Sequence, residues 1–264
     1  MNSPYIIEET QDFAVVYKPP KMHTTVKTQE LYRESNENEF NTLFEWYKNQ
    51  SGKNKFIKLL HRLDFETHGI VLFAKNEKCY NFLKQAQDEG EFIKEYSAEC
   101  YLSDLLINDS HSSLPGFPEP PVFTSDNISP EKTFVVESYF RPFGPGRKSV
   151  RPVTGNGKKH KETAKDKGGF YRTEIIKINN NIITARIKRG FRHQIRCHLC
   201  WIGVPIKNDP LYSAGGEKVL PLDKPQADTT QEDLLALKAH AVSFPNPSVQ
   251  KNSQKLKFSI SPLH

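Results

Sequence analysis

Short apolar segments typical of β-strands dominate this chain, and they constrain its fold more than any other feature of the sequence. Strand patterns occupy residues 4–9, 12–18, 69–74, 92–102, 133–140, 170–178, 181–188, 234–244 and 255–260. Helical spacing of apolar residues occurs only in residues 40–47, 76–90 and 192–202. Strands and helices do not alternate regularly. The pattern therefore predicts an α+β fold with a long mixed, mostly antiparallel sheet flanked by helices and loops.

Three local details make this prediction specific. Asn76 is a plausible N-cap for the second helix. Residues 170–188 form a predicted hairpin across Asn179 and Asn180, because paired asparagines readily adopt turn conformations. In the strand pattern of residues 92–102, Tyr96 lies on the apolar side. We therefore expect Tyr96 to face inward.

The charge of the chain indicates a polyanionic partner. The 264 residues carry a net charge of +6, with an isoelectric point near 9.0. Ten cations crowd a stretch interrupted by Gly and Pro, in which only Glu162 and Asp166 oppose them: Arg141, Arg147, Lys148, Arg151, Lys158, Lys159, Lys161, Lys165, Lys167 and Arg172. The stretch is either a solvated loop or an arm that contacts phosphates.

Composition excludes several classes of protein. Hydrophobic residues make up 36% of the chain, which argues against a disordered protein. Apolar runs fall far short of the ~20 residues that span a bilayer, and the N-terminus does not resemble a signal peptide. Four scattered cysteines do not form a secreted disulfide framework. We therefore expect a cytoplasmic location, no membrane partner and a single domain over residues 1–264, with Cys197 and Cys200 buried on a helix rather than binding zinc.

Three separated sequence blocks resemble the RluA family of RNA pseudouridine synthases. Residues 61–69 read HRLDFETHG, residues 94–98 read KEYSA, and residues 190–199 read GFRHQIRCHL. They are similar to the family's HRLDxxTSG, KxYxA and GRxHQIRVHL motifs and follow in the same order. His68 stands where the family usually has Ser. The small N-terminal RNA-binding domain of many members is expected to be missing, because the first similar block begins near residue 5.

The resemblance implies a pseudouridine synthase fold with a central RNA-binding cleft and three catalytic residues. Asp64 corresponds to the catalytic carboxylate, acting as a nucleophile or a base. Tyr96 corresponds to the active-site tyrosine, and Arg196 to the arginine that pairs with the aspartate. Isomerising uridine needs no oxidant, metal or energy donor, so no cofactor is expected. An opposite charge within ~4–6 Å would keep Asp64 ionised in a dry site, and we expect Arg196 to supply it from the polar side of its helix.

RNA contacts are predicted for a further set of residues. Arg62 is suited to fill the space left by an extruded base, since its guanidinium is planar and cationic. The other predicted substrate contacts are His61, Thr67, Lys94, His193, Gln194 and Ile195. For His61, His193 and Gln194 a structural role in bracing loops stays open. Lys18 is a further candidate for a phosphate contact.

The predicted function is isomerisation of specific uridines in structured rRNA or tRNA, by a protein that acts as a monomer without an obligate protein partner. Two other functions remain open. A non-catalytic RNA-binding or RNA-chaperone protein could keep the fold and the basic surface. A hydrolase using Asp64 and His61 is disfavoured, because the sequence lacks a paired carboxylate, a metal-ligand set and a Gly-rich phosphate loop.

Overall fold

The computed structural model describes residues 3–25, 42–52, 56–101, 115–123, 133–155, 169–212, 234–249 and 254–263. The helices in these ranges are α1 (Leu43–Gln50), α2 (Glu77–Asp88) and α3 (Gln194–Trp201). The strands are β1 (Tyr5–Glu9), β2 (Phe13–Lys18), β3 (Lys58–Leu59), β4 (His68–Ala74), β5 (Ile93–Glu99), β6 (Phe134–Phe143), β7 (Ser149–Val153), β8 (Tyr171–Asn179), β9 (Ile182–Ile187), β10 (Leu237–Pro245) and β11 (Lys255–Ser259). No helix in these ranges is long and apolar enough to cross a membrane.

The first of two compact units comprises residues 1–94 and 238–262. Its strands follow the order β1-β2-β4-β10, with β3 on β4 and β11 on β10. Strands β4 and β10 are parallel, whereas the other described pairs of this unit are antiparallel. Residues 70–74 are buried on both faces of the sheet, which explains their uninterrupted apolar sequence. The mixed, mostly antiparallel sheet confirms the predicted fold class.

Aromatic side chains and helix α2 fill the core of this unit. Phe244 packs edge-on against Phe13 at 5.4 Å between ring centroids, and it stacks on Phe92 at 5.7 Å. Helix α2 begins where predicted, because the Asn76 side chain accepts a hydrogen bond from the Cys79 backbone N–H at 2.8 Å. Its apolar stripe of Cys79, Leu83 and Ala86 is buried against the same core.

The second unit comprises residues 95–237 and 263–264. Its strands follow the order β5-β9-β8-β6-β7, and the described pairs from β9 to β7 are antiparallel. The predicted hairpin of residues 170–188 is present, and Asn180 takes the left-handed conformation (φ +51°) that its turn requires. Helix α3 packs with this sheet through Cys197 and Cys200, which lie buried on the helix as predicted.

Two boundaries differ from the sequence prediction. Part of the basic stretch forms a hairpin, because β6 continues to Phe143 and the chain returns as β7 with Val150 and Pro152 buried. Helix α3 begins at Gln194 rather than near residue 192, since the left-handed backbone of His193 (φ +56°) cannot continue a helix. The predicted start of the first helix at residue 40 lies outside the described residues.

Gly69 lies opposite Ala239 where β4 pairs with β10, and replacing it by Ala should destabilise the protein. An added Cβ would lie 2.2 Å from the Ala239 carbonyl oxygen, and Gly69 has φ +123°. We expect Gly69→Ala to lower the free energy of unfolding by more than about 2 kcal/mol in urea denaturation. Gly52→Ala is the matched control, because Gly52 also has positive φ (+63°) but no atom within 4 Å of the new methyl group. Equal losses would show that the contact with β10 is unimportant.

Candidate active site

The loop that carries Asp64 connects β3 to β4, and backbone hydrogen bonds fix its conformation. The Thr67 N–H donates to the Asp64 carbonyl oxygen at 3.2 Å and closes a turn. The Thr24 hydroxyl accepts from the Leu63 N–H at 3.1 Å and donates to the Leu63 carbonyl at 2.8 Å. Both backbone groups of the residue before Asp64 are therefore held by one buried side chain, a role that no local sequence pattern indicates.

Lys18 supports the same loop from β2. Its ammonium donates to the carbonyl oxygens of Pro19 at 2.8 Å, Met22 at 2.7 Å and Phe65 at 3.2 Å. The side chain is fully buried, so the predicted phosphate contact by Lys18 is wrong. An ammonium group has three donors, and here three carbonyl groups accept them. Lys18 therefore ties the end of β2 to the residue that follows Asp64.

In its protonated form, Lys18 also places a buried positive charge near the Asp64 carboxylate. Burial lowers the pKa of Lys18 to about 7, and the nearby charges of Asp64 and Glu66 oppose this shift. The same attraction favours the ionised form of Asp64. Arg196 was the cation expected beside Asp64, whereas Lys18 was predicted only as a phosphate contact.

His61 and Thr67 flank Asp64 with buried polar atoms that have no hydrogen-bond partner among the described residues. These atoms are both ring nitrogens of His61 and the hydroxyl oxygen of Thr67. Burial, with a smaller effect of Lys94, lowers the pKa of His61 to about 3, so its imidazole is neutral at physiological pH. The ring packs edge-on against Phe92 at 5.7 Å between centroids. This packing supports the structural reading of His61, while RNA contacts by His61 and Thr67 stay predictions.

The two predicted cations of this unit differ in exposure. Arg62 is exposed, as a residue that enters an RNA helix must be. Lys94 is buried, with its ammonium 5.8 Å from the centroid of the Phe92 ring, and burial lowers its pKa to about 8. Phosphate contact by Lys94 therefore requires that the RNA reach a largely enclosed group.

Tyr96 faces inward from β5, as the alternation predicted. Its side chain is 6% exposed, and Ala98 and Cys100 on the same side of the strand are fully buried. Ser97 is buried as well, and its hydroxyl oxygen accepts a hydrogen bond from the Leu263 N–H at 3.0 Å. The strand is therefore enclosed on both faces at this point, which holds Tyr96 in a fixed orientation.

Arg196 forms a buried ion pair with Asp209. Its Nε donates to Asp209 Oδ2 at 2.7 Å and its Nη2 donates to Oδ1 at 2.6 Å, with side-chain exposures of 2% and 0%. The Asp209 carboxylate also accepts from the N–H groups of Leu211 and Tyr212. This bidentate pair fixes the guanidinium plane. The partner predicted for Arg196 was Asp64, and its pairing with Asp209 was not expected.

Helix α3 has no solvated polar face, so the prediction of one is wrong: all eight residues of the helix are buried. Its polar side chains bind protein atoms instead. The Gln194 amide donates to the Arg172 carbonyl and the Thr173 hydroxyl and accepts from the Phe191 N–H. These bonds match the bracing role that was left open for Gln194. Ile195 is buried at 4% exposure, and His193 lies within 3.3 Å of the Tyr212 hydroxyl.

Asp64 belongs to the first unit, whereas Tyr96 and Arg196 belong to the second. Each unit is well defined by its own contacts. Pairing of Arg196 with Asp64 and a shared central cleft stay predictions.

This chain belongs to the RNA pseudouridylate synthase family, whose model matches residues 12–201. The predicted resemblance to the RluA family is confirmed. An uncharacterised RNA pseudouridine synthase of Helicobacter pylori is 26% identical and covers 97% of this chain. A ribosomal large subunit pseudouridine synthase D of Zymomonas mobilis is 25% identical over 58% of this chain.

The chain spans less than two thirds of these relatives' own lengths, namely 65% of the Helicobacter protein and 38% of the Zymomonas protein. In fold it resembles human RNA pseudouridylate synthase domain containing 1, with a TM-score of 0.61 and 15% identity. That likeness covers 98% of this chain and 84% of the human chain. It confirms the predicted pseudouridine synthase fold.

The Arg196–Asp209 pair should matter far more for stability than an exposed ion pair. Asp209→Asn keeps an oxygen that can accept the two backbone N–H bonds but removes the carboxylate charge that faces the buried Arg196 guanidinium. We expect the free energy of unfolding to fall by about 3–5 kcal/mol. The control is Glu137→Gln, which breaks the exposed 2.7 Å pair with Arg172 and should cost at most ~1 kcal/mol. Similar losses in urea denaturation would contradict the buried-pair interpretation.

Lys18 should give the protein a measurable dependence of stability on pH. Because its pKa falls from 10.5 to about 7 on folding, the unfolded state binds more protons between these values. As the pH increases between these two values, the free energy of unfolding of the wild type should therefore rise relative to that of Lys18→Met, by up to ~1.4 kcal/mol per pH unit. Urea denaturation at several pH values measures this difference. The difference between wild type and Lys18→Leu must change with pH to the same extent. A difference that does not change with pH would show that folding leaves the Lys18 pKa unaltered.

Proposed function

We propose that this protein is an RNA pseudouridine synthase in which the Asp64 carboxylate acts as nucleophile or base on specific uridines of structured rRNA or tRNA. The observation that carries the proposal is the family match of residues 12–201, which encloses Asp64, Tyr96 and Arg196. It runs through both compact units, which supports their action as one catalytic domain. The Zymomonas relative named for the ribosomal large subunit supports rRNA as the substrate. Cytoplasmic location and a monomeric state stay predictions.

The reaction requires one anionic group and a site that keeps it charged. The N1–C1′ bond of uridine breaks, the uracil turns, and a C5–C1′ bond forms, so no atoms are gained or lost. A carboxylate can start this by attacking C1′, by adding to C6, or by removing a ribose proton. The fixed backbone of the Asp64 loop holds the carboxylate in place, and the Lys18 ammonium favours its ionised form.

Tyr96 and Arg196 complete the proposed catalytic set. The inward ring of Tyr96 can stack on the uracil while its hydroxyl takes part in proton transfer. Asp209 uses two of the five N–H donors of the Arg196 guanidinium and orients the group. We propose that the oriented guanidinium also interacts with Asp64 during the reaction.

Exposed Arg62 is suited to hold the RNA open. Extruding a uridine from a helix or loop costs a few kcal/mol, and a planar cation that fills the vacated position offsets part of this cost. The Arg62 side chain is exposed, whereas Thr67, three residues after Asp64, is buried. Arg62 is therefore the residue of this loop best placed to touch RNA without a change in the loop's conformation.

Asp64→Asn should abolish pseudouridine formation while keeping the shape of the side chain. Total RNA from cells that lack this protein is incubated with each variant, and pseudouridines are mapped chemically. We expect at least a ~100-fold loss of product with Asp64→Asn. Glu66→Gln is the matched control, because it removes a second carboxylate whose charge also acts on Lys18, and its product yield should stay within about threefold of wild type.

Two results would contradict the proposal. If the wild-type protein binds the RNA but adds no pseudouridine to the map, the non-catalytic RNA-binding alternative is favoured. Equal activity of Asp64→Asn and wild type would remove Asp64 from the chemistry.

A further inference from the structure

The hairpin of β6 and β7 in the second unit places two arginines directly opposite each other. In the antiparallel register, Arg141 is the partner of Arg151. Directly opposed residues have Cβ atoms about 4.5–5.5 Å apart, and like charges there are destabilising. Between residues 134 and 153, Glu137 is the only acidic residue, whereas Arg147 and Lys148 add two exposed cations at the turn. The hairpin thus concentrates positive charge.

Aromatic side chains lie beside the two arginines on the same face of the hairpin. Val136, Ser138 and Phe140 point into the core, so Tyr139 and Arg141 lie on the other, partly exposed face. The Tyr139 ring lies 4.5 Å from that of Phe170, which is 36% exposed. Aromatic rings and cations therefore share one surface.

The positions of these groups are fixed by hydrogen bonds to the backbone. Arg192 Nη2 donates to the carbonyl oxygens of Arg147 at 2.9 Å and Ser149 at 3.0 Å, which secures the turn. Arg151 Nη1 donates to the Gly116 carbonyl at 3.1 Å. On the neighbouring strand, Glu137 is paired with Arg172 at 2.7 Å. The one acidic group of the hairpin is thus directed toward β8.

We propose that this face, defined by Tyr139, Arg141, Arg151 and Phe170, binds a single-stranded RNA segment outside the catalytic residues. Two neighbouring guanidinium groups suit the phosphates of one strand, because each can neutralise a phosphate and release its counterions. Exposed rings beside them suit unpaired bases, which stack on aromatic side chains whatever their sequence. An acidic protein would satisfy the charges but would not require the rings. The inference rests on the proposed function, because it names the RNA feature that the enzyme grips.

The experiment measures binding in an Asp64→Asn background, so that the RNA stays unmodified. The probes are poly(U), an RNA duplex of matched length, and inorganic polyphosphate, which carries charge without bases. Arg141→Gln/Arg151→Gln should weaken poly(U) binding about tenfold or more at low salt. It should also reduce the slope of log affinity against log salt by about 1–2 units, as expected for two lost phosphate contacts. Phe170→Leu should weaken poly(U) binding about fivefold or more without affecting polyphosphate.

The control is Lys78→Gln/Lys255→Gln, which removes two exposed charges from the first unit. This control should change the poly(U) affinity and its salt dependence by less than about half as much as Arg141→Gln/Arg151→Gln does. The inference is overturned if the control weakens poly(U) binding as much as the arginine pair does. It is also overturned if Phe170→Leu binds poly(U) like the wild type, or if the duplex binds as tightly as poly(U). Failure of the proposed function would be seen in a different experiment, in which the wild-type protein forms no pseudouridine in the mapped RNA.

Discussion

The buried ammonium of Lys18 is the interaction on which the geometry around Asp64 depends. Three backbone carbonyls converge on it, from two residues near the end of β2 and from the loop after Asp64. Without the ammonium these carbonyls would lose a shared donor in a partly buried region, and a carbonyl left unsatisfied away from water would cost about 1–3 kcal/mol. Lys18 therefore couples the first hairpin of the chain to the loop that carries the carboxylate. The same charge favours the ionised Asp64 that the chemistry requires.

A similar arrangement supports helix α3 in the second unit. Arg196 is buried but compensated by Asp209, and Gln194 and His198 bind backbone and hydroxyl groups of the neighbouring strands. A helix with this many polar side chains usually exposes one face. Here every polar group has a protein partner, so the helix can be enclosed. The bidentate pair with Asp209 offsets part of the cost of burying its charge.

Much of the fold could be predicted from the sequence, because local patterns determine it. Alternating apolar residues located β5, and the Asn76 cap located helix α2. Strand β7 was missed, since a short segment rich in Arg and Pro has a weak strand pattern, and its pairing with β6 depends on contacts distant in sequence. The carboxylate loop was found by its motif, but its supports were not. Thr24 lies 39 residues from Leu63, so no spacing rule connects them.

The side chains around the candidate site share one physical property: they are polar groups buried in the protein interior. Lys18, Lys94 and Arg196 are all buried, and the hydroxyl of Thr67 has no partner among the described residues. Such departures from local consistency reduce stability, and in natural proteins they concentrate where function requires them. Their burial is therefore a structural observation about the site that the sequence motifs alone do not give. It favours an enzyme that keeps charges in a dry interior over a protein that merely binds RNA at its surface.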